Sequence, residues 1–191
     1  MAKTGLFFGS FNPIHAGHLI IASYMANFTD LDEVWLVVSP QNPLKEKKGL
    51  VNMYDRLEMA RLATEPAEKI KVSDIEFKLP QPSYTVDTLV YLHEKYSSKE
   101  FVLIMGSDNL ASLKKWKNYE VLLKNYAIYV YPRPGADISE WLSHPSITLT
   151  KTPQMEISST FIRRSLKDNK NIQFLVPDNV ITFMDSKNMY R

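Results

Sequence analysis

The chain has 191 residues, 45% of them hydrophobic and 23% charged, with no cysteine and a formal net charge of +2. The lack of cysteine excludes disulfides, thiol nucleophiles and cysteine-ligated zinc, and a net charge this small gives no reason to expect nucleic acid as a partner. There is no apolar run of about 18 residues to predict a membrane span and no signal-peptide pattern at the N-terminus, so we expect one cytoplasmic domain over residues 1–191 with no membrane partner.

The first predicted element is a strand that leads through a loop into a helix. An apolar strand at Gly5–Phe8 runs into the segment Gly9–His18, and an apolar helical stretch follows at Leu19–Ala26. Glycines allow close backbone approach, and a helix N-terminus presents free N–H groups and the positive end of its dipole. The imidazoles of His15 and His18 can donate hydrogen bonds to phosphate oxygens. We therefore predict a phosphate site here; the alternatives are a metal site, which lacks an evident third ligand, and ordinary loop histidines.

Strands and helices alternate along the rest of the chain. Continuous apolar runs typical of strands buried on both faces occur at Val34–Val38, Phe101–Met105 and Ala127–Tyr131. Weaker patterns predict an edge strand over Ile70–Phe77 and a short strand at Ile147–Leu149. This order predicts an α/β fold, a doubly wound, mainly parallel sheet of about five to six strands with helices on both faces. Helical signals occur at Met53–Leu62 with Asn52 as N-cap, at Val86–His93, in pieces over Leu110–Leu123, at Ser158–Leu166 and at Pro177–Met184.

Polar and glycine residues follow the predicted strands at the side where ligands bind in such sheets. Gly9, Ser39, Gly106 and Pro132 each come directly after a strand, and ligands lie beyond the carboxyl ends of the strands where the strand order reverses. The basic loop at Lys45–Lys48 also follows a strand end, although such a loop is usually a solvated surface.

A second group of phosphate-binding residue types lies at Ile157–Arg164. Ser158 or Ser159 can cap a helix, which would leave N–H groups, hydroxyls and the Arg163 guanidinium facing one place. By itself this pattern is equally typical of a capped surface helix. Trp116, between lysines, is more often a core side chain than a stacking platform.

Together these motifs resemble a known family. Gly9–His18 matches the nucleotidyltransferase signature Gly-x-Phe-x-Pro-x-His-x-Gly-His, and Ile157–Arg163 matches the superfamily motif Ile-Ser-Ser-Thr-x-Ile-Arg. Ser83–Thr85, Gly106–Asp108 with Trp116 downstream, and Arg133–Gly135 occur in the order typical of bacterial nicotinate-nucleotide adenylyltransferases. The resemblance implies a Rossmann-like nucleotidyltransferase that joins ATP and nicotinate mononucleotide to give deamido-NAD and pyrophosphate, with Mg²⁺ bound to ATP.

The resemblance also implies roles for individual residues. His15, His18 and Arg163 would be catalytic. Arg133 and Asn12 would belong to the nicotinate mononucleotide site together with the residues that receive the pyridine ring and its carboxylate, Thr85, Trp116 and Lys117. The C-terminal helical part, about residues 157–191, would close the nucleotide site. The expected ATP contacts are Gly9, Ser10, Phe11, Lys45, Gly106, Asp108, Ile157, Ser158 and Ser159.

Two positions depart from the usual bacterial pattern. Asn12 stands where the pattern usually has Asp, and the loop after the second strand lacks the usual His, so that Lys45, with Lys47 as a rival, would take its phosphate role. The alternatives are a transferase of the same fold that acts on nicotinamide mononucleotide or phosphopantetheine or uses a cytidylyl donor, and a non-catalytic nucleotide-binding module. Oligomeric state is left open by the sequence.

Overall fold

A computed structural model describes residues 1–41 and 49–191. Its sheet has six strands in the order β3-β2-β1-β4-β5-β6, and every neighbouring pair is parallel. The strands are β1 (Ala2–Gly9), β2 (Glu33–Val38), β3 (Ile70–Ser73), β4 (Lys99–Gly106), β5 (Ala127–Tyr131) and β6 (Ile147–Leu149).

Seven α-helices of the described ranges connect or follow these strands. The N-cap predicted at Asn52 is confirmed, because its side-chain oxygen accepts the Tyr54 N–H at 2.9 Å. The helices are α1 (Ala16–Phe28), α2 (Met53–Thr64), α3 (Thr85–Lys95), α4 (Ser107–Ala111), α5 (Tyr119–Asn125), α6 (Ser159–Lys167) and α7 (Asp178–Ser186).

Helices cover both faces of the sheet because successive strand residues point to opposite sides. In β1, Phe7 packs into a cluster with residues of α1, α2, α6 and α7, whereas its neighbour Leu6 packs into a second cluster with residues of α3, α4 and α5. In β4, Ile104 joins the first cluster and Leu103 the second. The predicted doubly wound α/β fold is confirmed, and the sheet is parallel throughout.

The strand predicted over Ile70–Phe77 is right only in its first half. β3 is an edge strand, but it ends at Ser73, and Ile75–Lys78 forms a 3-10 helix. The Ser73 hydroxyl accepts the Ile75 N–H at 3.3 Å, which turns the backbone away from the ladder. Ile75 and Glu76 are both buried in this 3-10 turn.

The strand order reverses between β1 and β4. β1 leads to β2 on one side, whereas β4 leads to β5 on the other, so a crevice opens beyond the carboxyl ends of β1 and β4. Gly9 and Gly106 end these two strands. No helix within the described ranges is long and apolar enough to cross a membrane.

Candidate active site

The crevice beyond β1 and β4 is a cleft with two lobes. One lobe, of about 370 Å³, contains both histidines of the first motif and is called the histidine lobe here. The other, of about 300 Å³, contains Trp116 and is called the tryptophan lobe. Both lobes are lined by Phe8, Gly9, Ser10, Gln41 and Asn109, so they meet at the end of β1.

The histidine lobe holds the imidazoles of His15 and His18 against each other. Their rings stack with centroids 3.7 Å apart, and the backbone N–H of His15 donates to Nδ1 of His18 at 3.3 Å. A neutral His18 whose Nδ1 accepts carries its proton on Nε2. His18 therefore has a donor on the ring nitrogen away from the backbone, as a phosphate oxygen requires.

His15 is nearly completely buried. Burial disfavours the charged imidazolium, and the nearby positive charge of Arg133 adds to this, so the pKa of His15 falls from 6.5 to about 4. His15 is therefore neutral at neutral pH. Its Nδ1 has no hydrogen-bond partner among the described residues.

Two features of the first motif hold these rings in place. A Cβ at Gly17 would lie 3.1 Å from Nδ1 of His15, so glycine lets α1 begin directly against the ring. Phe11, with the left-handed φ of +45°, turns its buried ring under the loop, 5.0 Å from the centroid of His18 and 5.9 Å from that of Phe7. The loop is thereby fixed from below by aromatic packing.

The second motif closes the histidine lobe from the other side. Ser158 caps α6 by accepting the Phe161 N–H at 3.2 Å, which confirms the predicted cap. The Ser159 hydroxyl donates to the carbonyl of Pro13 at 2.9 Å. One Nη of Arg163 donates to the carbonyl of Asn12 at 2.7 Å. The two motifs, far apart in the sequence, are therefore bonded to each other and line one lobe.

Asn12 is held by the protein itself. Its amide nitrogen donates to the Gly49 carbonyl at 2.9 Å, and its side-chain oxygen accepts from the Val51 N–H at 3.3 Å and from the Tyr190 hydroxyl at 2.7 Å. Asn12 is predicted to belong to the nicotinate mononucleotide site, but its side chain already has three hydrogen-bond partners within the protein.

Sequence reasoning missed Arg56, the largest fully buried side chain of the described residues. Its guanidinium donates to the carbonyls of Ser10, Ser39, Pro40 and Val51 at 2.6–2.9 Å. These carbonyls lie after β1, after β2 and before α2, so Arg56 joins the segments that border the cleft. The sequence places Arg56 within the apolar pattern of α2, and no local signal distinguishes it from a surface arginine.

Asp108 and Arg133 complete the histidine lobe. A Cβ at Gly106 would lie 2.3 Å from a carboxylate oxygen of Asp108, so glycine leaves room for this carboxylate to fold back over the end of β4. The Arg133 guanidinium lies over the Tyr131 ring at 5.6 Å and donates to the Met155 carbonyl at 3.2 Å.

The tryptophan lobe has an aromatic, basic wall and a buried carboxylate. Thr85 begins α3 at its edge, and Lys117 lies 4.8 Å from the Tyr84 ring and 2.7 Å from an Asp87 oxygen. Glu76, which is 2% exposed, accepts from the hydroxyls of Ser83 and Thr88, each at 2.9 Å. Burial raises the pKa of Glu76 above its usual value. Other residues of this lobe are Ser112, Lys115 and Trp116.

The structure brings most of the predicted site residues into the cleft. Thr85, Trp116 and Lys117 line the tryptophan lobe, whereas Asn12 and Arg133, predicted with them, line the histidine lobe. The Arg133 guanidinium lies over the ring of Tyr131, which belongs to the core cluster on the α1 face of the sheet. Gly106 and Ile157 line neither lobe, and Lys45 and Lys47 lie outside the described residues. The predicted residues in the histidine lobe are Gly9, Ser10, Phe11, His15, His18, Asp108, Ser158, Ser159 and Arg163.

The polar side chains of the histidine lobe are mainly arginines, histidines, amides and hydroxyls. Asp108 is a carboxylate in the histidine lobe, where it lies with His15, His18 and two arginines. Within residues 1–41 and 49–191, no group of three or more His, Asp or Glu side chains is placed to hold a metal ion.

Comparison with known proteins identifies relatives over the whole chain. A family model described as cytidylyltransferase-like matches residues 6–165. The chain is 56% and 58% identical to proteins of Flavobacterium psychrophilum and Flavobacterium johnsoniae, each named a probable nicotinate-nucleotide adenylyltransferase, over 99% of both chains.

Solved structures show the same fold. Nicotinic acid mononucleotide adenylyltransferase of Plasmodium falciparum, complexed with NaAD, superposes with a TM-score of 0.84 at 21% identity, covering 100% of this chain and 98% of that one. The complex of the same protein with APC gives a TM-score of 0.83 over the same shares of the two chains.

Proposed function

The chain belongs to the cytidylyltransferase-like family and, within it, to the nicotinate-nucleotide adenylyltransferases, and we propose that it uses the two-lobed cleft for its reaction. It transfers the adenylyl group of ATP to nicotinate mononucleotide, giving deamido-NAD and pyrophosphate in NAD biosynthesis. The observation that carries this proposal is the meeting of a cationic lobe and an aromatic, basic lobe at Gly9 and Ser10.

ATP occupies the histidine lobe in this proposal. His15 and His18 contact its phosphates, with His18 nearest the reacting α-phosphate. The wall at Ser158, Ser159 and Arg163 holds the β- and γ-phosphates, because an N-capped helix start and a guanidinium both favour anions. Gly9, Ser10 and Phe11 supply backbone N–H groups, and Gly106 and Asp108 lie on the adenosine side.

Nicotinate mononucleotide occupies the tryptophan lobe. Its pyridine ring lies against Trp116, and its carboxylate lies near Lys117 and the start of α3 at Thr85, where charge and helix dipole favour an anion. Its phosphate then lies at Ser10, where the two lobes meet. Arg133 contacts the phosphates from the histidine lobe, where its side chain lies.

The reaction is a direct displacement without a covalent enzyme intermediate. A phosphate oxygen of nicotinate mononucleotide forms a bond to the α-phosphorus as the bond from that phosphorus to the bridging oxygen of pyrophosphate breaks. The cleft aligns the two substrates, and His18 and Arg163 stabilise the charge that develops on the phosphate oxygens.

Mg²⁺ enters with ATP in this proposal, and the lobe fits such a complex. Its described residues offer one carboxylate, Asp108, alongside cationic groups, so the other oxygen ligands that Mg²⁺ prefers would come from ATP and water. When bound, the ion neutralises part of the charge on the phosphate oxygens. The residues of this chain position that complex.

We also infer that residues 1–191 act as one domain in the cytoplasm, with about 157–191 closing the nucleotide site. In support, α7 residues Val180 and Met184 share a core cluster with Phe7 of β1. The Asn179 amide donates to the Leu62 carbonyl of α2 at 2.7 Å.

The test is one incubation of the protein with ATP, Mg²⁺ and equal amounts of nicotinate and nicotinamide mononucleotides. We expect deamido-NAD and pyrophosphate in equal amounts, identified by chromatography. NAD as the main product would instead identify a nicotinamide mononucleotide transferase, and nucleotide binding without any product would identify a binding module.

His18→Ala tests the histidine lobe in the same assay. Loss of a donor to the reacting phosphate is expected to lower kcat by about 10²- to 10³-fold. His93→Ala is the matched control, because His93 lies on the exposed surface of α3. Equal turnover by the two variants would contradict the role of His18.

A further inference from the structure

Tyr190 lies far along the chain from the first motif but contacts it directly. Its hydroxyl donates to the side-chain oxygen of Asn12 at 2.7 Å. After α7, the left-handed φ values of Asn188 and Tyr190, +50° and +64°, turn the chain back toward the cleft. Met189, which is 7% exposed, anchors this turn in the core.

The Tyr190 hydroxyl is suited to act as a fixed donor. Burial raises the pKa of Tyr190 well above its usual value, although the charges of Arg163 and Arg56 oppose this. The hydroxyl therefore keeps its proton at neutral pH, and the Asn12 oxygen is its acceptor.

Asn12 transmits this contact to the cleft wall. Its side chain is held by Gly49, Val51 and Tyr190, and the contact from Tyr190 is shorter than the 3.3 Å contact from Val51. A side chain held at both its oxygen and its nitrogen fixes the orientation of its own backbone. The Asn12 carbonyl in turn accepts from Arg163 at 2.7 Å.

We propose that Tyr190 is a positioning residue for adenylyl transfer, which fixes Asn12 and, through its carbonyl, the guanidinium of Arg163. This inference rests on the proposed function, since it assigns Tyr190 to the reaction of that cleft. Without the hydroxyl, the Asn12 oxygen keeps only its longer contact among the described residues, the one from the Val51 N–H. The Asn12 carbonyl then no longer fixes the position of the Arg163 guanidinium, which holds the leaving pyrophosphate in this proposal.

The first test is Tyr190→Phe, which removes the hydroxyl and keeps the ring. We expect kcat to fall about tenfold, the size of effect that the loss of one hydrogen bond to a positioning side chain produces, while KM for nicotinate mononucleotide stays within twofold of the unmodified protein. Tyr126→Phe is the control, because Tyr126 is half-buried at the end of α5, away from the cleft, and its kcat should not change.

The second test measures whether the effect passes through Asn12. The single variant Asn12→Ala and the double variant that combines Asn12→Ala with Tyr190→Phe should have the same kcat. Once the Asn12 amide is gone, the Tyr190 hydroxyl has no side-chain oxygen there to hold. A double variant whose kcat falls by the product of the two single reductions would overturn the proposal. A Tyr190→Phe protein that melts at a lower temperature but has an unchanged kcat would also overturn it. If the unmodified protein forms no deamido-NAD, the proposed function fails instead, and the two failures are distinguishable.

Discussion

The neutral state of His15 is a property of its surroundings. Its ring stacks on His18, 3.7 Å away, in a lobe that also holds two arginines. A further positive charge there would cost free energy, and burial together with the charge of Arg133 lowers the pKa of His15 to about 4. His15 is therefore a neutral ring stacked on His18, whereas the guanidiniums of Arg133 and Arg163 carry the positive charge of the lobe.

This lowered pKa predicts a pH dependence of stability. The unfolded chain binds a proton at His15 near pH 6.5 and the folded chain only near pH 4, so the free energy of unfolding falls as pH drops through this window. His15→Gln should remove this loss and lessen the destabilisation at pH 5 by about 2 kcal/mol.

Urea denaturation of both proteins at pH 7 and pH 5 measures this effect. The two proteins should differ in how much stability they lose between these values. Equal losses would show that His15 titrates normally in the folded protein.

Arg163 shows how a contact at residue scale depends on distant chain segments. The motif around it predicts a helix cap and a guanidinium near phosphate, and the cap at Ser158 is confirmed. Its contact with the Asn12 carbonyl joins two motifs. Neither motif contains a local signal for that bond.

At the scale of elements, the start of α1 is shaped by close packing against a ring. A Cβ at Gly17 would approach the His15 ring to 3.1 Å, tighter than ordinary van der Waals contact. Gly17→Ala should therefore displace His15 by a few tenths of an ångström and lower kcat by about tenfold, since small displacements of catalytic groups have large kinetic effects.

The same substitution should not weaken the helix, because alanine favours helix over glycine by up to about 1 kcal/mol. Steady-state kinetics and thermal melting on one preparation test both expectations. A parallel fall in activity and melting temperature would indicate general damage, and unchanged kinetics would show that the ring tolerates the methyl group.

The elements also show where local patterns mislead. Ile70–Phe77 has enough alternation to predict one strand, yet the Ser73 hydroxyl bonds to the Ile75 N–H and a 3-10 helix follows. That turn buries Glu76 next to the Ser83 and Thr88 hydroxyls, on the wall of the tryptophan lobe. The bond from the Ile75 N–H to the Ser73 hydroxyl thus belongs to the turn that places the Glu76 carboxylate in the tryptophan lobe.

At the scale of the whole molecule, the two motifs close on the histidine lobe as one unit. α6 is tied to the first loop through Ser159 with Pro13 and Arg163 with Asn12. The Ala16 N–H at the start of α1 donates to the Leu175 carbonyl at 2.8 Å. An ATP analogue that binds the lobe should therefore stabilise both chain segments together.

Hydrogen exchange followed by mass spectrometry measures this coupling. A non-hydrolysable ATP analogue at about 100 times its Kd should stabilise the fold by about 2.7 kcal/mol and slow exchange in residues 9–18 and 157–163 to a similar extent. Slowing in one segment alone would show that the two walls respond independently.

The sequence by itself determined the alternation of strands and helices and the capped start of α6, and it predicts the phosphate-binding character of both motifs. These properties depend on residues within a few positions of one another, through strand burial, helix capping and backbone geometry. The short apolar runs of β2, β4 and β5 predict buried parallel strands for the same reason.

Only the tertiary structure decided how distant residues share one site. The strand order places Gly9 beside Gly106, α7 returns Tyr190 to Asn12, and α2 brings Arg56 under three loops. Each of these contacts joins residues more than four positions apart, and most join separate elements, so each depends on the packing of whole elements rather than on a local pattern. The sequence therefore predicts which groups bind phosphate, whereas the fold decides which side chains hold those groups in position.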